Sequence, residues 1–139
     1  ITTLLSTPMN IEKVCQYADV LIGAASTPGK IAPKIITREH VRMMKPRSVI
    51  MDIAIDQGGN VETSRPTTHD TPTFIDENII HYCVPNMPGV VARTATHAFV
   101  NAAMPYILQL ANEGIDKAIK NNDEIACAIN THKGEIVNV

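Results

Sequence analysis

Asp56 is the residue best placed to do chemistry. It ends the apolar run Met51 to Ile55 and is followed by Gln57, Gly58 and Gly59. A run of this kind reads as a buried strand that delivers its last acidic side chain at one edge of a sheet. In open α/β sheets, ligands sit outside the carboxyl ends of the strands. Glycines let the backbone come close to a ligand, and a carboxylate there can orient a ribose hydroxyl or join a proton relay. Asp and Gly are also common turn residues, so spacing alone leaves Asp56 open between a turn cap and a ligand-binding group.

Other unusual residues follow the same run. Arg65 lies among the hydroxyls of Ser64, Thr67 and Thr68. It can hold a carboxylate or pair with Glu62, and the residues alone favour the ion pair. Asn86, between Pro85 and Met87, has an amide that could read a planar carboxamide; taken alone, it reads as a turn former. Asp52 lies four residues before Asp56 in the same run, where a polar structural role is expected. His40, His97 and His132 fall in helical or tail patterns, His81 alternates with apolar residues, and His69 is a candidate for proton transfer. None pairs with Ser or Cys in a nucleophile motif. Cys15, Cys83 and Cys127 lie far apart among apolar neighbours, read as core thiols of a reducing compartment, and have no metal-ligand spacing. No metal site is expected.

These residues need a frame. Ile1 to Leu5 could be a strand, and Asn10 could cap a helix through Tyr17. Asp19 to Ala25 is an apolar run that reads as a strand buried on both faces. The Pro-Gly loop from Ser26 to Pro33 follows. Thr37 then caps a helix from Arg38 to Met44, which Pro46 stops, and Ser48 to Ala54 is the next strand. This is a βαβαβ unit, with a parallel sheet and right-handed crossovers. The polar segment from Asp56 to Ile75 is long enough to be functional, and Ile79 to Val84 reads as a last strand. Ala92 to Leu110 is an Ala-rich helix with Pro105 as a kink or boundary. Shorter helices lie around Ile115 to Lys120 and Asp123 to Ile129, and Thr131 to Val139 has no strong pattern. The expected fold is therefore α/β, with a parallel βαβαβ sheet over residues 1–91 and a helical segment over 92–139. No G-x-G-x-x-G turn is present: Gly23 to Gly29 follows a strand but opens no helix at the right distance. The sheet thus reads as the second half of a Rossmann-like dinucleotide-binding domain.

Composition narrows the function classes. The chain has 139 residues, 45% hydrophobic and 19% charged, with a formal net charge of -2. Basic clustering of the kind that binds nucleic acid or membrane surfaces is lacking. Arg38, Arg42, Lys45 and Arg47 form one dense group, read as the solvated face and end of a helix rather than a phosphate site. No apolar run approaches the roughly 18–20 residues of a membrane span. Ile1 to Leu5 has no initiator Met, basic region or cleavage site, so the chain is expected to begin inside a larger protein.

The residues resemble a known family. Asp52 to Gly59, Glu62, Ser64 to Thr68, Pro72 to Phe74, Tyr82 to Val84 and Asn86 to Pro88 look like alanine dehydrogenase. So do Asp19 to Ala24 with Pro28, Gly29 and Ala32 to Lys34, and Asn101, Ala102 and Met104 to Tyr106. The similarity covers nearly the whole chain and corresponds to the C-terminal portion of the family. It implies a cytoplasmic, homo-hexameric enzyme that interconverts L-alanine and pyruvate plus ammonium with NAD as hydride carrier. It makes Asp56 the acidic residue near the nicotinamide ribose and the reacting carbon. Ile53, Ala54 and Ile55 would lie along the cofactor, Arg65 would be a further contact, and Val84, Pro85, Asn86 and Met87 would surround the nicotinamide end. Ala25 and Ser26 would sit near the adenosine side. Residues 92–139 would return toward a substrate domain that, with its Arg, Lys and catalytic His, lies outside this chain. The 139 residues alone are expected to be inactive and to bind NAD weakly. The alternatives are the NAD-binding subunit of a proton-translocating transhydrogenase, which is related, and a non-catalytic module.

Overall fold

The computed structural model describes residues 1–137. They form two compact units, Ile1–Met87 and Pro88–Val139. In the first unit, helix α1 is Pro8–Tyr17, followed by strand β1, Val20–Gly23. Helix α2 is Arg38–Met43 and strand β2 is Val49–Asp52. Strands β3, Thr73–Asp76, and β4, Ile79–Tyr82, complete a four-stranded sheet in the order β1-β2-β4-β3. β1, β2 and β4 are parallel, with Val20 opposite Val49 and Ile50 opposite His81; β3 runs antiparallel to β4. The expected α/β sheet is present and mainly parallel.

Sequence explains the elements that lie under the candidate site. Thr37 closes a reciprocal capping box with His40 at the start of α2. The apolar faces of α1, α2 and the strands meet in a core of Cys15, Ile36, Val41, Met44, Ile50, Val61 and Ile79. Glu77 and Asn78 both take left-handed backbone, at φ 49° and 63°. Two successive positive φ values turn β3 tightly into β4. Arg38 then clamps this hairpin to α2, with Nη1 donating to Asp76 at 3.0 Å and Glu77 at 2.7 Å. Arg42 adds a second bond to Glu77 at 3.0 Å. The two guanidinium groups, Arg42 before Arg38, hold the Glu77 carboxyl down at about 2. Lys45 pairs with Asp19 at 2.8 Å. Arg38, Arg42 and Lys45 of this basic group are thus ion-paired across elements while remaining partly exposed to solvent.

Several expectations are corrected. Ile1 to Leu5 forms no strand; the Leu5 carbonyl instead accepts from Thr7 N and Asn10 Nδ2, turning the chain into α1. Thr7, not Asn10, caps α1, because Pro8 suits the first helical position and Asn10 N then donates to Thr7 Oγ1. β2 ends at Asp52, and Ile53–Gln57 is a 3-10 helix. Asp56 is therefore not the last residue of a strand. The reason lies in Asp52, whose carboxylate accepts from the backbone N–H groups of Asn60 and Val61 and pulls the chain back over the strand end. The long polar segment hides β3, whose four residues alternate in exposure at the antiparallel edge.

In the second unit, α3 is Ala92–Glu113, unbroken at Pro105, and α4 and α5 are Ile115–Asn121 and Asp123–Cys127. Residues Thr131–His132 and Glu135–Ile136 form a small hairpin, β5 and β6, within the tail expected to be unpatterned. The end of that tail, 138–139, lies outside the described residues. Cys15 and Cys83 are buried, as expected, but Cys127 is exposed at the end of its short helix. Among the described residues, no helix is long and apolar enough to cross a membrane.

Candidate functional site

The carboxyl edge of the sheet is built on Asp52 and Asn60, both at 1% exposure. Asp52 Oδ2 lies 2.8 Å from Asn60 N and 3.1 Å from Val61 N. Three N–H contacts satisfy a buried carboxylate that would otherwise be costly. The Asn60 side chain reaches back to the end of β1: Oδ1 accepts from Ala25 N at 2.9 Å, and Nδ2 donates to the carbonyls of Ala25 at 2.9 Å and Pro33 at 3.0 Å. One amide thus fixes the strand end that carries Ala25 and Ser26 to the loop after β2. Lys34 adds a second tie, with Nζ donating to the Gly58 carbonyl at 2.6 Å and to that of Val61 at 3.1 Å. Neither Asn60 nor Lys34 was expected. Their signal is a polar residue directly after Gly-Gly and a lysine after Pro33, which spacing alone does not separate from ordinary loop composition.

The glycines also acquire a structural reason. A Cβ on Gly59, at φ 78°, would stand 2.6 Å from Asp52 Oδ2. Gly59 is buried, so it serves the Asp52 turn; Gly58, at φ 99°, ends the 3-10 helix in left-handed backbone and is exposed.

On this frame the expected residues separate into two groups. Ala54, Ile55 and Val84 are buried at 8%, 5% and 3%. Ile53, Asp56, Arg65, Ser26 and Asn86 are exposed, and Ala25, Pro85 and Met87 are half-buried. Asp56 and Asn86 are brought together: Asn86 N donates to Asp56 Oδ2 at 3.4 Å. Asn86 has a φ of 52°, the left-handed region that Asn tolerates better than most residues. Asp56, Gln57 and Gly58 face Gly29, Lys30 and Ile31 across an open crevice of about 470 Å³. A second cavity of about 440 Å³ is lined by Gly23, Ala24, Ala25 and Asn60 together with α1 and residues 4–6.

Arg65 is placed otherwise. Among the described residues it forms no ion pair with Glu62, whose carboxylate instead accepts from Arg38 N at 2.8 Å. The guanidinium carbon of Arg65 lies 4.2 Å from the Phe74 ring centroid. His69 is exposed in the loop before β3, and His81 is fully buried. Burial pushes the Cys83 and Cys15 thiols up, which keeps them protonated. The edge can therefore present an exposed carboxylate, an exposed amide and apolar Ile53 to a ligand, on a backbone locked from beneath.

Comparison with known proteins gives a consistent answer. The profile of the family "Alanine dehydrogenase/PNT, C-terminal domain" matches residues 1–139. The chain is 48% identical over 134 residues to alanine dehydrogenase of Halomonas elongata, covering 96% of this chain and 36% of that protein. It is 48% identical over 137 residues to alanine dehydrogenase 2 of Staphylococcus aureus, covering 98% and 37%. A solved L-alanine dehydrogenase superposes with a TM-score of 0.80 at 43% identity, over 97% of this chain and 37% of that one. A transhydrogenase from Sinorhizobium meliloti has a TM-score of 0.72 at 23% identity, over 97% and 36%, a likeness of fold alone. The chain spans a little over a third of the length of these relatives. By sequence over its whole length and by its Rossmann-like fold, the chain belongs to the alanine dehydrogenase/PNT C-terminal domain family.

Proposed function

We propose that this chain is the cofactor-facing C-terminal part of an NAD-dependent L-alanine dehydrogenase, converting L-alanine to pyruvate and ammonium. The observation that carries the reading is the Asp56–Asn86 contact: two residues from different loops meet at the carboxyl edge of a parallel sheet. Asp56 Oδ2 is held by a backbone N–H, while Oδ1 has no protein donor among the described residues. An exposed carboxylate with one oxygen occupied and one available suits a ribose hydroxyl or a proton in transit. That acceptor fits the ribose of NAD, as the exposed apolar surface of Ile53 fits its ring.

In this reading Asp56 is the catalytic carboxylate, orienting the nicotinamide ribose and stabilising charge at the reacting carbon. Bound there, NAD would supply the hydride acceptor. Asn86 offers its amide to the nicotinamide carboxamide, with Val84, Pro85 and Met87 shaping the backbone around it. Ile53, Ala54 and Ile55 form the wall along the cofactor, two of them from within the core. Ala25 and Ser26, fixed by Asn60, serve the adenosine side, and Arg65 adds a further contact.

The outer edge of β1 supports a longer protein. Val20 and Ile22 are 54% and 58% exposed on a strand that pairs on one side. β1 is only four residues long, but exposed apolar side chains on an unpaired outer strand are commonly covered by another element. Residues 1–139 then supply one wall of the site, residues 92–139 return toward the substrate domain, and the isolated polypeptide is inactive. The complete enzyme is in this reading a cytoplasmic homo-hexamer. The identities of 48% to alanine dehydrogenases and 23% to a transhydrogenase favour the dehydrogenase. The test is ammonium-dependent reduction of pyruvate by NADH with the full-length protein: turnover supports the assignment, and its absence with NAD binding intact overturns it. A protein that binds no NAD by isothermal titration is instead a non-catalytic module.

A further inference from the structure

A stack of four side chains runs from the core to Arg65. Thr63 and His81 are buried, at 5% and 0% exposure. His81 Nδ1 lies 3.0 Å from the Ile79 carbonyl, and Nε2 lies 2.7 Å from Thr63 Oγ1. A carbonyl can only accept, so Nδ1 carries the hydrogen and Nε2 of the neutral ring accepts from the Thr63 hydroxyl. The imidazole is thereby fixed in both tautomer and orientation. Phe74 stands opposite His81 in the antiparallel β3–β4 register, with ring centroids 4.8 Å apart and planes 19° from parallel. The Arg65 guanidinium rests over the same Phe74 ring at 4.2 Å.

The segment carrying Arg65 is fixed to β4 as well. Thr67 N donates to the Cys83 carbonyl at 3.0 Å, and Cys83 Sγ lies 3.6 Å from Ser64 Oγ. Val84, Pro85 and Asn86 follow directly. Arg65 is therefore tethered beside the strand end that leads to Asn86. Among the described residues its guanidinium spends no N–H on a protein acceptor, although Glu62, Asp70 and Asp76 are near in sequence. An arginine in an ion pair must leave it to meet a ligand. One seated on an aromatic face keeps its five donors for an incoming carboxylate, phosphate or hydroxyl.

We propose that Phe74 is a positioning residue that seats Arg65 for the cofactor, with His81 and Thr63 as its fixed base. This rests on the NAD assignment above. The test compares Phe74→Leu, Phe74→Tyr, Arg65→Met and the Phe74→Leu/Arg65→Met pair in the full-length protein. NAD affinity is read by isothermal titration, the KM values for NAD and alanine by steady-state kinetics, and folding by thermal unfolding. Phe74→Leu is expected to weaken NAD binding about two- to fivefold, the range of an exposed cation–π contact. The KM for alanine should stay unmoved, Phe74→Tyr should restore the affinity, and Phe74→Leu should add nothing once Arg65 is Met. If Phe74→Leu does not fold, Phe74→Met, closer in volume, takes its place. Unchanged NAD affinity, or an equal loss in the Arg65→Met background, overturns the seat while the assigned function stands. A parent protein that binds NAD but leaves alanine unoxidised overturns the alanine assignment and leaves the seat to be read from affinity. A parent that binds no NAD overturns both.

Discussion

The backbone N–H of Asn86 donates to Oδ2 of Asp56 across 30 residues of sequence, joining the loops that leave β2 and β4. The contact uses the main chain of Asn86, so its side-chain amide remains for another partner. It also gives one oxygen of the exposed carboxylate a fixed direction. Asn86 holds φ at 52° to make the bond, a conformation that costs little for Asn and nothing for Gly.

Replacing Asn86 with Gly separates its two roles. Asn86→Gly keeps the N–H and the left-handed backbone and removes the amide. Thermal stability of the full-length protein is expected to stay close to that of the parent. The KM for NAD should rise about two- to tenfold, the worth of one or two hydrogen bonds. Unchanged kinetics would leave Asn86 as a turn former alone.

The Asp52–Gly59 packing makes a stability prediction. A methyl group on Gly59 would meet Asp52 Oδ2 at 2.6 Å in a backbone of φ 78°. Gly59→Ala should destabilise by about 1–3 kcal/mol, from strain and displacement of the carboxylate. Asp52→Ala orphans the buried N–H groups of Asn60 and Val61, at about 1–3 kcal/mol each. Urea unfolding midpoints measure both; a shift near zero for either would mean that the loop after β2 is not held in this way.

His81 gives a pH signature. Burial lowers its pKa, outweighing the Ile79 carbonyl and the Asp76 carboxylate that favour the charged ring. The unfolded imidazole takes up a proton near pH 6.5 while the folded one resists it. Below that pH the unfolded state therefore binds more protons, and stability rises with pH across the window. The His81 contribution is complete above about pH 6.5 and is lost as the pH falls toward the folded pKa. Denaturant unfolding from pH 7.5 down to 5 should show this decline in the parent and a flatter profile in His81→Gln; equal slopes would place the ring in contact with water.

The sheet edge that carries the candidate site was legible in residues 51–59 and 79–88, where β2 and β4 end. The apolar runs of β1, β2 and β4 announce parallel strands, but the expected burial on both faces is not met by β1, where Val20 and Ile22 are exposed and only Gly23 is buried, because β1 is the outer strand of the sheet. β3 was not legible: at four residues on an edge it carries Thr73 and Asp76 and looks like loop. The end of β2 was misplaced because Ile53, Ala54 and Ile55 are as apolar as a strand, yet a local 3-10 turn is set by Asp52 gripping amides eight and nine residues ahead. Asn60 depends on bonds to Ala25 and Pro33, distant in sequence, and the Arg65–Phe74 seat on how the loop before β3 folds back over it; residue type and spacing encode neither. Glu62 illustrates the same limit: it stands three residues from Arg65 but bonds the N-terminus of α2.

The most direct measurement is alanine-dependent NAD reduction by the full-length protein beside its Asp56→Asn variant, followed by NADH absorbance. Asp56→Asn keeps the shape and an oxygen for the Asn86 N–H but removes the charge. The parent should turn over alanine, and the variant should fold normally with kcat reduced about 10²- to 10⁴-fold, the usual contribution of a positioned acid–base group. A variant with parental kcat would contradict the placement of Asp56 at the reacting centre, and a parent that does not oxidise alanine would contradict the dehydrogenase assignment itself.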